Sequence, residues 1–283
     1  MKLNFFQKII VLLIAISFVI GLDYYLFLPK RDIEPEKPAE VNVGKEEKLN
    51  ETTTNLVSEN ITSSLGVEEK QRVYLEVPFA SQAPKGDWDD LHNEACEEAA
   101  LVMAKYWLEG KKLTGDAMDD EILKSVAWEE GQWGGHYDLP VDKIVELAKE
   151  YFGIEKIRAV YNIENIERIK KELSQGNLVI VPTAGRLLDN IHYRQPGPVY
   201  HMLVIKGFNK SDKEGKEGKE MITNDPGTKV GKDFRYSPEN LFISIHDWPA
   251  GTGRPLLFGQ NLSKDEAAQI ILRGQRAMMV IEK

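Results

Sequence analysis

The sequence predicts an α+β fold in which an N-terminal helix packs on an antiparallel sheet, preceded by a transmembrane anchor. Helical patterns lie mostly in the first half of the folded part, and short apolar runs typical of strands follow them. The strands and helices do not alternate as a parallel sheet requires. A nearly uninterrupted apolar run close to the N-terminus predicts the anchor.

Composition restricts both the partners and the redox chemistry of the chain. Its 283 residues carry a formal net charge of −9. This acidity argues against nucleic acid as the main partner, because a phosphate-binding surface needs clustered lysine and arginine. The only cysteine is Cys96, so no intrachain disulfide can form. A lone cysteine is either a small buried hydrophobic residue or a free thiol with a chemical role.

The N-terminal part reads as a short tail, residues 1–8, followed by a membrane anchor, residues 9–28. The anchor contains Asp23 as its only charge, and about 20 apolar residues can span a bilayer as a helix. The run continues through Tyr24 and Tyr25, which favours an uncleaved signal anchor over a cleaved signal peptide. We expect the tail to stay inside and the rest of the chain to be exported.

Residues 29–72 are predicted to form a disordered tether, and residues 73–283 the folded domain. No aromatic residue occurs between Phe27 and Tyr74, and the stretch is rich in Glu, Lys, Thr, Ser and Asn. Such a segment cannot bury enough apolar surface to offset its chain entropy. It therefore serves as a spacer between the membrane and the domain.

Within the domain, apolar periodicity and punctuation by glycine and proline define the elements. Each of the first three helices stops before a glycine, and Ser263 with Glu266 has the spacing of a capping box for a late helix. The predicted helices cover 94–109, 140–152 and 164–175. The predicted strands cover 157–161, 178–183, 199–208, 220–224 and 276–282.

Cys96 falls in the first turn of the first predicted helix. A helix N-terminus favours the thiolate, and its free backbone amides can help to form an oxyanion hole. The adjacent carboxylates of Glu97 and Glu98 oppose ionisation of the thiol. Cys96 also shares a helical face with Ala99 and Met103, so an ordinary core position remains the alternative.

Metal chemistry is not expected from the histidine pattern. None of the five histidines forms an i, i+4 pair of the zinc-binding type, and a chain with one cysteine is a poor candidate for a structural zinc site. We therefore predict neither a metal nor a cofactor.

His201 is the best candidate for a general base, because it opens an apolar run that continues into a predicted hairpin. If Phe208 pairs with about Glu220, Leu203 lies opposite Asp225, and His201 becomes a diagonal neighbour of Asp225 on one face. A carboxylate there would fix the tautomer of the histidine.

Two other interpretations of this region stay open. Asn224 is the alternative third member of the site. Asp225 is otherwise a turn residue in an Asp-Pro-Gly sequence, which is a common turn signal.

Four segments, taken in order, resemble a known family. They are VPFASQ at 77–82, Cys96 at a helix start, YHMLVIKGF at 200–208 and NDPG at 224–227. The sequence resembles the papain-like cysteine peptidases of the bacteriocin-leader-processing type, the C-thirty-nine-like family, over most of residues 73–250. It departs from the family where members commonly have Cys-Gly-Pro, since Glu97 and Glu98 follow Cys96 here.

The resemblance implies a papain-like fold and a role for each site residue. Cys96 would be the nucleophile, His201 the general base and Asp225 the residue that orients it. Gln82 would supply a side-chain amide to the oxyanion hole, where a neutral donor suits the developing charge.

The leading hypothesis is a membrane-anchored peptidase or related amide hydrolase that acts outside the cytoplasm on a peptide or peptide-like substrate. A processing protease, a cell-wall amidase and a transpeptidase would use the same residues. The rival class is a non-catalytic surface binding module that retains a peptidase fold. A third reading is a structural envelope protein in which Cys96 is only core.

Overall fold

The computed structural model describes residues 72–209, 220–249 and 263–283. Its centre is an antiparallel sheet of seven strands in the order β2-β7-β3-β4-β5-β6, and β1 pairs with the far end of β4. The antiparallel α+β architecture predicted from the sequence is therefore confirmed. The strands are β1 (Arg72–Tyr74), β2 (Ile157–Tyr161), β3 (Leu178–Thr183), β4 (His201–Asn209), β5 (Glu220–Asn224), β6 (Phe234–Tyr236) and β7 (Ala277–Ile281).

Helices precede and flank the sheet. They are α1 (Asp90–Asn93), α2 (Cys96–Glu109), α3 (Gly115–Trp133), α4 (Val141–Glu150), α5 (Glu167–Ser174), α6 (Pro238–Ser244) and α7 (Lys264–Ile271). Helix α2 ends at Gly110, whose φ of 64° is the left-handed conformation that glycine adopts without strain. Helix α7 begins with the predicted capping box, formed in both directions between Ser263 and Glu266.

The predicted elements agree well with the structure, and the largest omission is α3. Strands β2, β3 and β5 have the predicted bounds, whereas the predicted helices at 94, 140 and 164 begin later than expected. Helix α3 was not predicted. Its buried side chains include Asp119 and Glu129 beside Met118, Ile122 and Val126, so acidic residues interrupt the apolar face.

The two faces of the sheet support separate hydrophobic clusters. Along β4, Met202 and Val204 belong to the cluster beneath α2, while Leu203 and Ile205 belong to the cluster on the other face. This alternation is the period of two that a strand requires. Cys96 is a member of the first cluster, and α2 packs against β4.

The β4–β5 hairpin has a register shift that matters for the site. Phe208 pairs with Met221, so the predicted pairing with Glu220 is wrong at the far end. An irregularity between Ile205 and Gly207 then shifts the register by one residue. From Val204, which pairs with Asn224, the register towards His201 is the predicted one.

Gly207 is required beside this irregularity. A Cβ atom at this position would collide with the backbone carbonyl of Val73. The strand β1 therefore approaches β4 so closely that only glycine fits there.

The predicted anchor, 9–28, and the tether up to residue 71 lie outside the described residues. Arg72, placed by the sequence at the end of the tether, opens β1. None of the helices in the described part of the chain combines the length and the apolar character needed to cross a membrane.

Candidate active site

His201 and Asp225 form a buried pair at the start of β4. The Nε2 atom of His201 lies 2.8 Å from Oδ1 of Asp225, and both side chains are almost inaccessible to solvent. The backbone carbonyl of His201 also accepts a hydrogen bond from the Thr183 hydroxyl at 2.8 Å. With Nε2 engaged by the carboxylate, Nδ1 is the ring nitrogen left for proton transfer.

The second oxygen of Asp225 is held by three side chains. Oδ2 accepts hydrogen bonds from Tyr193 at 2.6 Å, Tyr236 at 2.7 Å and Asn190 at 3.0 Å. Burial by itself raises the pKa of Asp225, but the His201 ring and the two tyrosine hydroxyls outweigh it, and the net shift is downward. The carboxylate is thus kept ionised in a fully buried position.

The turn after Asp225 requires a glycine at position 227. Its backbone N–H donates to Oδ1 of Asp225 at 3.0 Å. A Cβ atom at position 227 would lie only 2.8 Å from Cε1 of the His201 ring. The Asp-Pro-Gly sequence is therefore both a turn and a support for the histidine, and the two interpretations of Asp225 are compatible.

Asn224 has a different role from Asp225. Its side-chain amide donates to the backbone carbonyls of Val77 at 3.2 Å and Pro78 at 3.1 Å. Its oxygen accepts from the backbone N–H of Asp233 at 3.3 Å. Between the two residues left open by the sequence, Asp225 is the one that contacts His201, and Asn224 fastens the 77–82 segment to the hairpin.

Gln82 is placed between the two halves of the site. Its backbone N–H donates to the Pro226 carbonyl at 3.0 Å. Its side-chain nitrogen donates to the carbonyls of His92 at 2.8 Å and Asn93 at 3.2 Å, just before Cys96. Both amide hydrogens are therefore in use, and Oε1 is buried without a partner among the described residues.

Cys96 begins α2, as the sequence predicted, and is 3% exposed. Its Sγ donates a hydrogen bond to Oε2 of Glu97 at 2.9 Å. Burial and the Glu97 carboxylate raise the pKa of the thiol well above its ordinary value. The opposition to ionisation expected from the Glu97-Glu98 sequence is thus present in the structure.

Glu97 connects the thiol to the segment before α4. Its Oε1 accepts a hydrogen bond from the backbone N–H of Leu139 at 2.9 Å, and burial together with Glu98 raises its pKa to about 8. The sequence identified Glu97 only as an unfavourable neighbour. Its part as the hydrogen-bond acceptor of Cys96 depends on a contact with residue 139 that no local pattern encodes.

The amino end of α2 is uncapped by a side chain. The N-cap residue is Ala95, and no side-chain hydrogen bond caps the helix there. The first amides of a helix have no partner within it, and alanine is a poor N-cap residue. The first turn, which contains Cys96, therefore presents backbone donors to a developing negative charge.

Tyr200 and His201, which are adjacent at the start of β4, have different neighbours. Cys96 packs in the cluster that contains Tyr200, the residue before His201. The His201 ring lies edge-on to Tyr193 of the other cluster, with ring centroids 5.5 Å apart. Tyr193, Tyr236 and Asn190 were not identified from the sequence, since they come from distant loops and strands without a recognisable motif.

An antiparallel α+β domain with a buried histidine–carboxylate pair and a cysteine at a helix start is the arrangement expected of a papain-like cysteine peptidase. A profile of the Peptidase_C39 like family matches residues 74–250, more than half of the sequence. The chain belongs to this family, and the resemblance based on four segments is confirmed. A comparison with curated proteins gave no match.

The solved structures similar to this chain include two from different organisms. One is a candidate C39-like peptidase from Bacillus anthracis, with 17% sequence identity and a TM-score of 0.42, covering 76% of this chain and 99% of that one. The other is UfSP from C. elegans, with 14% identity and a TM-score of 0.36, covering 77% of this chain and 36% of that one.

Proposed function

We propose that the protein is a cysteine peptidase that cleaves a peptide or peptide-like amide through a thioester on Cys96. Membership of the peptidase family supports the reaction class. The observation that carries the assignment is the 2.8 Å contact between His201 and Asp225. A buried, ionised carboxylate fixes the tautomer of a histidine and stabilises its protonated form, as nucleophilic catalysis requires.

In the proposed reaction Cys96 carries the acyl group, and His201 acts first as a base, then as an acid and again as a base. Nδ1 of His201 takes the Cys96 proton, and the thiolate adds to the substrate carbonyl. The C–N bond then breaks as the imidazolium gives its proton to the leaving amine. Water, deprotonated by His201, hydrolyses the thioester and restores the thiol. No cofactor takes part in these steps.

The oxyanion is proposed to form next to the first turn of α2. The backbone N–H of Cys96 is the first donor, since the helix lacks a side-chain cap. Gln82 becomes the second donor when the substrate oxygen replaces its longer contact, the one with the Asn93 carbonyl at 3.2 Å. Catalytic hydrogen bonds commonly reach their working geometry only in the substrate complex.

The site of action is proposed to be outside the cytoplasm, at the membrane surface. The support is the apolar run at 9–28 followed by the polar stretch at 29–72. An anchored domain on such a spacer would act on peptides near the membrane.

One observation favours a second candidate, the non-catalytic binding module. The thiol is buried, is hydrogen-bonded to Glu97 and has a raised pKa. A thiol held in this way throughout would not attack a substrate. The two candidates therefore differ in one property, the reactivity of Cys96 in the folded protein.

The test is the rate of Cys96 alkylation by iodoacetamide at neutral pH in the full-length chain, kept in a mild detergent. We expect the native thiol to react faster than the urea-unfolded thiol, and His201→Ala to lose this advantage. Equal rates in the wild type and the variant, or an inert native thiol, would overturn the proposal in favour of the binding module.

Two controls keep this test interpretable. The thermal unfolding midpoint of His201→Ala shows whether the variant folds, and His201→Gln provides a second variant that fills the same space. Hydrolysis of dye-labelled casein is measured in parallel, and Cys96→Ser is expected to abolish it with little change in the unfolding midpoint.

A further inference from the structure

Two buried carboxylates and a partly exposed histidine meet beside the first turn of α2. Glu98 belongs to that turn, Glu129 lies near the end of α3, and His136 follows α3. Taking one ligand atom from each side chain, the three atoms lie within 4.8 Å of one another. The cluster is thus assembled from two helices and a connecting segment.

The two carboxylates of this cluster are fully buried and are short of hydrogen bonds. Glu98 and Glu129 are both 0% exposed. Within the described ranges, none of their four oxygens has a hydrogen bond of proper geometry. Nε2 of His136 lies 3.3 Å from Oε1 of Glu98, the distance of an ion pair. A single imidazole thus faces two buried carboxylates, and burying the second negative charge without a cation is costly.

A divalent cation would balance this cluster. Two fully buried carboxylates face a single imidazole, so one such ion would neutralise both negative charges.

The donor set selects the type of ion. One imidazole nitrogen with two carboxylates suits Zn²⁺ and Mn²⁺, whereas Ca²⁺ and Mg²⁺ prefer oxygen ligands throughout. Donors bound at about 2.0–2.2 Å to one ion lie roughly 3–4 Å apart. The observed spacing of up to 4.8 Å therefore requires only a small contraction of the side chains.

We propose that Glu98, Glu129 and His136 bind one divalent transition-metal ion of the Zn²⁺ or Mn²⁺ type. The two carboxylates balance its charge, and the ion ties α2, α3 and the segment after α3 together. Sequence spacing did not suggest this site, because its ligands are 31 and 7 residues apart and include a single histidine. The site does not depend on whether Cys96 is catalytic.

The test uses full-length chain without an affinity tag, freed of metal by a chelator. Binding of Zn²⁺ and Mn²⁺ is measured by equilibrium dialysis with elemental analysis, and Mg²⁺ serves as the comparison ion. We expect one equivalent per chain and a higher thermal unfolding midpoint with the ion bound. No binding of either Zn²⁺ or Mn²⁺ would overturn the proposal.

Glu129→Gln is the decisive variant, because it keeps the shape of the side chain and removes its charge. We expect binding to weaken more than about tenfold, since losing even an outer-shell partner of a metal ligand costs that much. The matched control is Glu130→Gln, an exposed neighbour on the same helix that should bind normally. Equal affinity in the two variants would contradict the site.

A thiol and an imidazole can also bind zinc, so the candidate active site needs its own control. Cys96→Ala and His201→Ala retain the three proposed ligands and should bind one equivalent as the wild type does. If either variant loses the ion while Glu129→Gln retains it, the ion lies at Cys96 and His201 and the proposal fails. This outcome leaves the proposed peptidase activity untouched.

Discussion

His201 and Asp225 are joined by a 2.8 Å contact between Nε2 and Oδ1. The Asp225 carboxylate also accepts hydrogen bonds from four further donors, the side chains of Asn190, Tyr193 and Tyr236 and the backbone N–H of Gly227. A carboxylate surrounded by donors keeps its charge although it is fully buried. It therefore holds the histidine in one orientation and in one tautomer. This pair is the part of the candidate site on which the peptidase proposal depends most directly.

Asp225→Asn is expected to lower kcat by about a hundredfold or more, because an amide cannot stabilise the imidazolium that forms during catalysis. Peptide hydrolysis by the two proteins is compared at equal concentrations of folded chain. The exposed Asp142 supplies the control variant, Asp142→Asn, which should retain full activity. Activity of Asp225→Asn within a few-fold of the wild type would exclude the orienting role.

Asn224→Ala is expected to reduce the free energy of unfolding by about 1–3 kcal/mol, since the carbonyls of Val77 and Pro78 each lose a hydrogen bond from the buried Asn224 amide. Denaturant unfolding measures this change, with Asn165→Ala as a control at an exposed position. The folded fraction of Asn224→Ala should keep a higher kcat than Asp225→Asn. The reverse order would make Asn224, rather than Asp225, the residue that orients His201.

Gln82→Ala is expected to lower kcat by about a hundredfold with a smaller effect on KM, because an oxyanion donor acts mainly in the transition state. Steady-state kinetics on a single peptide substrate separate the two parameters. Gln132→Ala, at an exposed position near the end of α3, is the matched control. A change confined to thermal stability would show that Gln82 only supports the turn before Cys96.

Asp247 provides a pH-dependent prediction away from the candidate site. Its Oδ1 accepts hydrogen bonds from the backbone N–H groups of Val141 at 3.0 Å and Trp248 at 2.7 Å. Burial raises the pKa of Asp247 to about 6 despite these bonds. Its contribution to stability is therefore fully present below the unfolded-state pKa of about 3.9 and is lost as pH rises through about 6.

The difference in unfolding free energy between the wild type and Asp247→Asn isolates this group. As pH falls from 7 to 4, the wild type should gain stability relative to the variant, by at most roughly 2–3 kcal/mol. Denaturant unfolding of both proteins at a series of pH values measures the difference. A difference that stays constant, or changes in the opposite direction, would contradict the raised pKa.

Much of the fold follows from local patterns in the sequence. The short apolar runs of β2, β3 and β5 and the glycine that ends α2 are features that depend on neighbouring residues alone. Helix α3 escaped prediction because buried acidic residues interrupt its apolar face. Those residues are buried for reasons of tertiary contact, among them the cluster of Glu98, Glu129 and His136.

The proximity of His201 and Asp225 was predictable because the predicted register of the β4–β5 hairpin is correct at that end. His201 and Asp225 share a face because the period of a strand is two, and the irregularity between Ile205 and Gly207 restores the predicted register near the site. His201 and Asp225 are therefore neighbours as predicted, although the predicted pairing at Phe208 was wrong. An irregularity of this kind has no strong signature in a single sequence.

Local sequence patterns were enough to predict most of the strands, the position of Cys96 at a helix start and the family to which the chain belongs. The packing of the folded chain was needed to show that Glu97 accepts the hydrogen bond of the thiol and that two tyrosines hold Asp225. It also brought together Glu98, Glu129 and His136. The physical reason is that helix and strand periodicity act over a few residues, whereas these contacts join side chains whose proximity is set by the packing of whole elements.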